Sequence, residues 1–66
     1  MNWISIKEKL PPEKEPVLTR IDDDKGIRNE QVLIRQKNLW FYDDMTMYVY
    51  YEPTHWQPLP LEQEGQ

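Results

Sequence analysis

Sixty-six residues without a cysteine make one small domain that no disulfide or thiolate-bound metal can staple. Eight basic against twelve acidic residues leave a formal net charge of −4, which weighs against direct nucleic-acid binding and against an anionic membrane surface. No stretch reaches the roughly 20 apolar residues of a membrane span, and Met1-Asn2-Trp3-Ile4-Ser5 lacks the basic and apolar regions of a secretory signal, so the expected location is the cytoplasm.

A domain of this length is stable by roughly 3–10 kcal/mol at typical per-residue values. That margin must come from apolar burial, and the apolar supply is notably aromatic: Trp3, Trp40, Trp56, Phe41, Tyr42, Tyr48, Tyr50 and Tyr51. Each such ring can bury roughly 150–250 Å², so a few suffice for a small core.

Ser5-Ile6-Lys7-Glu8 has the form of a capping box. Pro11-Pro12 leaves it little room, which predicts a single helical turn at about 6–9 or an irregular arm. Residues 11–16 read as a proline-bounded connector too short to separate domains. Val17-Leu18-Thr19-Arg20-Ile21 is rich in β-branched residues and predicts a strand. Asp22-Asp23-Asp24-Lys25-Gly26 reads as a turn, followed by a strand at about 30–37. Lys37-Asn38 marks a tight turn, with Asn38 suited to left-handed backbone. Strands at about 39–43 and 47–52 follow, separated by a turn starting at Asp43-Asp44. Pro53 should end the last of them. Thr54-His55-Trp56-Gln57 reads as a short extended piece, and Pro58-Leu59-Pro60 as polyproline-like.

The expected fold is therefore mainly β, a small α+β arrangement being the alternative. It is an antiparallel meander of three to four strands with a short N-terminal helical turn or arm packed on it. One domain spans 1–61, and 62–66 form a frayed tail. The expected core is Trp3, Leu10, Trp40, Trp56 and Leu59.

No constellation for catalysis or cofactor binding emerges. An EF-hand loop begun at Asp22 would need Gly at its sixth position and Glu at its twelfth, and has Ile27 and Leu33. His55 is the single histidine, with no Cys or second His to complete a metal site and no recognisable nucleophile beside it. With glycine only at 26 and 65, neither a P-loop nor a dinucleotide fingerprint can be written. The aromatic strands lack the interleaved Lys and Arg of single-strand binders, leaving core packing or a protein-binding face.

The two ends together carry a family likeness. Trp3-Ile4-Ser5-Ile6-Lys7-Glu8-Lys9-Leu10-Pro11 resembles the opening of the domain of unknown function 551 family. Thr54-His55-Trp56-Gln57-Pro58-Leu59-Pro60 resembles its closing His-Trp-x-Pro-Leu-Pro signature. Val17-Leu18 and Trp40 fall where the family has a strand and a central Trp. The chain departs from the pattern at Asn38-Leu39, where Gly is frequent, and at Gln57, where Met is usual. The resemblance implies a bacteriophage or prophage context and brings no activity or site. It suggests that Trp3 and Trp56 meet, closing the N-terminal arm over the sheet.

These readings converge on a small non-enzymatic accessory protein that binds another protein, a host factor or a phage protein, in the bacterial cytoplasm. Its expected contact residues are Asp22, Asp23, Asp24, Asp43 and Asp44. Alternate turns of a meander fall at one end of the sheet, which would gather these carboxylates to steer a basic partner, such as a nucleic-acid-binding face. A ligand pocket for a small molecule or nucleotide among the aromatic residues, and a purely structural or solubilising role, are the alternatives. No cofactor, metal or catalytic residue is expected, and a homodimer stays open.

Overall fold

The computed structural model describes residues 3–59. They form five strands: β1 (Ile4–Ser5), β2 (Pro16–Asp23), β3 (Gly26–Gln36), β4 (Leu39–Tyr42) and β5 (His55–Pro58). All pair antiparallel in one sheet of order β1-β5-β2-β3-β4. No helix occurs among the described residues, so none there is long and apolar enough to cross a membrane.

The β2–β3 hairpin is built by its turn and its β-branched runs. Asp23 faces Gly26 across a two-residue loop, and the Asp23 carboxylate accepts the Lys25 N–H at 2.9 Å. Gly26 sits at φ 109°, a conformation that L side chains rarely adopt. The pairing steps from Thr19↔Gln31 to Ile21↔Arg28, so β3 carries one extra residue there. Asn29, at φ 58°, absorbs this bulge, as an Asn can in left-handed backbone. β3 and β4 close at Gln36↔Leu39, and there Lys37, not Asn38, takes the positive φ of 57°.

The sheet departs from the expected meander in three ways. First, there are five strands, and the meander covers only β2, β3 and β4. Thr54-His55-Trp56-Gln57, read as a short extended piece, supplies most of β5, which lies inside the sheet between β1 and β2 with Trp56 between Ile4 and Thr19. Second, the expected N-terminal helical turn is replaced by a hydrogen-bonded turn. Ser5 already belongs to β1; its carbonyl accepts the Glu8 and Lys9 N–H groups and its hydroxyl the Lys7 N–H, and nothing propagates toward Pro11. Third, residues 47–52 do not make a full strand; one bridge, Phe41↔Tyr48, ties them to β4.

Direct partners in an antiparallel ladder share a face. Ile4, Trp56, Val17, Thr19, Leu33, Gln31 and Trp40 therefore line one side of the sheet. Two chain segments cross that side. Residues 6–15 run from β1 to β2, held by the Trp56 indole N–H donating to the Lys9 carbonyl at 2.8 Å. The Arg35 Nε–H donates to the Pro11 carbonyl at 3.1 Å. Residues 43–54 return from β4 to β5, placing Val49 against Leu33 and Trp40, while Gln31 donates to the Tyr51 hydroxyl. Pro11 and Pro53, one from each segment, are fully buried.

Trp40 and Trp56 are 3% and 4% exposed. The other expected core positions differ. Leu10 is 46% exposed, because the arm turns its neighbour Pro11 inward. Trp3 is half-buried and, one residue from Ile4, falls on the opposite face from Trp56; it stacks under Arg20, whose guanidinium carbon lies 4.1 Å from the ring centroid. The arm does close on β5, through Ile4↔Trp56 and not through Trp3. Leu59 is half-buried. The expected tail at 62–66 lies outside the described residues.

Candidate partner-binding surface

The five aspartates form two separate acidic turns. β2 and β4 both run antiparallel to β3, which lies between them, so both turns do point the same way along the sheet. Tyr42, at the end of β4, is level with Leu33, whereas the β2–β3 turn lies at Gly26. Seven residues of β3 separate these levels, roughly 23 Å at the rise of a strand. The hairpin tip therefore overhangs the other turn.

Charge at the tip is substantially neutralised from within. The Arg28 guanidinium donates two hydrogen bonds to the Asp23 carboxylate, at 2.8 and 3.1 Å. This fork, joined by the Lys25 N–H, holds the Asp23 carboxyl down to about 2. Asp22 accepts from Arg20 at 3.3 Å, the same arginine that covers Trp3. Asp24 is exposed at the turn itself.

The second turn is organised by Asp44. Its carboxylate accepts the Thr46 hydroxyl at 2.7 Å and the Thr46 N–H at 3.0 Å, which lowers its pKa in that order of cause. The Met45 N–H donates to the Tyr42 carbonyl at 2.8 Å, with Met45 at φ 62°. The chain then doubles back along β4: Tyr42 N–H to the Met47 carbonyl at 3.0 Å, Val49 N–H to the Trp40 carbonyl at 2.8 Å. This ribbon fixes what faces out. Val49 is buried, and Tyr48 and Tyr50 alternate away from it. Phe41, Tyr48 and Tyr50 make a run of edge-to-face rings, with centroids 5.8 and 5.6 Å apart.

β4 and the ribbon expose further apolar side chains on the same stretch of chain. Leu39, Tyr42, Met45, Met47 and Tyr48 are exposed, Met47 by 53%, and Tyr50 is 87% exposed. Asp43 and Asp44 border this cluster on one side and Glu52 follows it on the other. Beyond Val49 the ribbon parts from β4, leaving a groove of about 370 Å³ between Leu39, Trp40, Tyr48, Tyr50 and Glu52. Sequence reasoning read 47–52 as a full strand and left its aromatic residues to core packing or a protein-binding face; the signal for its exposed side was the alternation of Tyr48 and Tyr50 with Val49.

A second cleft, of about 340 Å³, lies between the N-terminal turn and β5, with Lys7, Asp22, Glu52 and His55 on its walls. Thr54 organises it. Its hydroxyl oxygen accepts the Asp22 N–H at 2.8 Å and shares a 2.7 Å hydrogen bond with His55 Nδ1. Among the described residues no group of three His, Cys, Asp or Glu side chains is placed to hold a metal ion.

Residues 2–61 match the family model described as Protein of unknown function (DUF551). No curated protein and no solved structure matches the chain. The match spans nearly the whole sequence, and the chain belongs to that family.

Proposed function

We propose that this member of the DUF551 family is a small accessory protein that acts by binding another protein, without catalysis of its own. The observation that carries the reading is the exposed cluster of Met45, Met47, Tyr48 and Tyr50 beside Asp43 and Asp44. Aromatic residues and methionine are enriched where proteins meet, and here they are exposed together on one short segment. The neighbouring carboxylates would steer a basic partner and speed its approach. A nucleic-acid-binding face of a host factor has that chemistry, and the phage or prophage context implied by the family likeness supplies a setting for it in the bacterial cytoplasm.

The reading is tested by affinity capture from bacterial lysate with three baits: wild type, Met47→Ser with Tyr50→Ser, and Asp43→Asn with Asp44→Asn. A specific protein should be retained by wild type at low salt, released at high salt, and lost or weakened with both variants. Equal retention by all three baits would remove this surface from the function. A second reading, a small molecule held among the rings, draws on the groove between Leu39, Trp40, Tyr48 and Tyr50. Such a ligand at a hundred times its Kd should add about 2.7 kcal/mol to stability, visible as a thermal shift across a nucleotide and metabolite panel.

A further inference from the structure

The ribbon beside β4 leaves one backbone edge open. In the Phe41↔Tyr48 bridge the hydrogen bonds run from Val49 N–H to Trp40 and from Tyr42 N–H to Met47. That pattern turns the N–H and C=O of Tyr48 away from β4, and no described residue pairs with them. The opposite edge of the sheet is blunted: β1 is two residues long, and the outward Ser5 carbonyl accepts Glu8 and Lys9. Unpaired strand edges of this kind are templates for another chain, and natural proteins usually protect them. Here the edge is instead flanked by exposed Met47, Tyr48 and Tyr50.

Resting on the protein-binding reading above, we infer that the Tyr48 edge receives an extended segment of the partner as an added strand, and that this segment carries Lys or Arg on both sides of an apolar centre. Charge decides the occupant. Asp43 and Asp44 form the turn just before the edge, and Glu52 follows it beyond the bend at Tyr50-Tyr51, so carboxylates flank Tyr48 along the chain on both sides. A second copy of the chain is the wrong occupant. A twofold pairing centred on Tyr48 would bring the Asp43-Asp44 turn of one copy toward Glu52 of the other, and like charges facing across strands are destabilising. A basic segment turns the same geometry into attraction. Its main-chain bonds to Tyr48 would provide affinity, and its alternating side chains would lie against Tyr48 and Tyr50 on one face and Met47 on the other.

The test is a titration of the ¹⁵N-labelled full chain with three blocked nine-residue peptides, followed through its amide signals. The first has the order Lys-Thr-Val-Thr-Val-Thr-Val-Thr-Lys. The second has Glu in place of both Lys. The third repeats the first with the backbone nitrogens methylated along both edges, which abolishes pairing from either side and keeps the side chains. The expected result is saturable binding of the first peptide, with slowed exchange of the Tyr48 amide. The Glu peptide should bind at least ten-fold more weakly, and the methylated peptide should not bind. Equal binding of the methylated peptide would overturn strand addition and leave the protein-binding surface standing. Equal binding of the Glu peptide would overturn the basic partner. No saturable binding of the first peptide, or a concentration-dependent dimer whose Tyr48 amide is protected without peptide, would overturn the inference. Capture of a partner by the wild-type bait alone remains the separate test of the reading beneath it.

Discussion

Asp23 and Arg28 illustrate how much of a charged turn is decided by partners across the hairpin. Asp22-Asp23-Asp24 reads as one run of negative charge, yet the hairpin places Arg28 beside Asp23 and the strand places Arg20 beside Asp22. The register shift at Asn29 is part of that placement, and a bulge leaves little trace in composition. The consequence is measurable. Asp23 falls from its ordinary 3.8 to about 2 in the folded chain, so the folded state holds its charged form more tightly than the unfolded state does. Its contribution to stability is complete above about pH 4 and is lost as pH falls toward about 2. The carbon-13 shift of the Asp23 carboxyl should titrate with a midpoint near 2, and Asp23→Asn should lessen the loss of stability over that interval. A midpoint at the ordinary carboxylate value would remove the Arg28 fork from solution.

At the scale of elements, the strands that follow each other in sequence were legible and the one that returns from afar was not. Val17-Leu18-Thr19-Arg20-Ile21 and Val32-Leu33-Ile34 announce β2 and β3 by their β-branched runs, and turn residues bound them. β5 is four residues between Pro53 and a closing Pro58, with no run of its own; pairing with β2 and β1 makes it a strand. Its Trp56 is the larger anchor, being 4% exposed and bonded through its indole N–H to the arm at Lys9. Trp3, on the other face, has only the stacking of an arginine beyond its own half-burial. Trp56→Ala should cost about 3–5 kcal/mol, enough to unfold much of a chain stable by roughly 3–10 kcal/mol near 37 °C. Trp3→Ala should cost about 1–2 kcal/mol, a cation–π contact and partial apolar burial. Thermal melts of the two variants check the order; equal losses would contradict the assignment of Trp3 outside the main core.

For the whole molecule, the sheet brings the two family-like ends together at Ile4↔Trp56, at the edge opposite β4. The opening and closing motifs thus build the fold, while the exposed Met and Tyr cluster lies in the segment between them. That division explains why the end motifs alone carry so little about function. It also explains why the candidate surface was only half visible: Asp43 and Asp44 were legible as an acidic turn, but the outward side of 47–50 depends on the chain doubling back along β4. The most direct test of the account is photo-crosslinking in bacterial cells that hold the partner. A photoreactive phenylalanine replaces Tyr50 in one strain and Glu13, on the exposed arm, in another. One discrete adduct with another protein is expected from position 50 and none from position 13. The same adduct from both positions, or an adduct from position 13 alone, would contradict it.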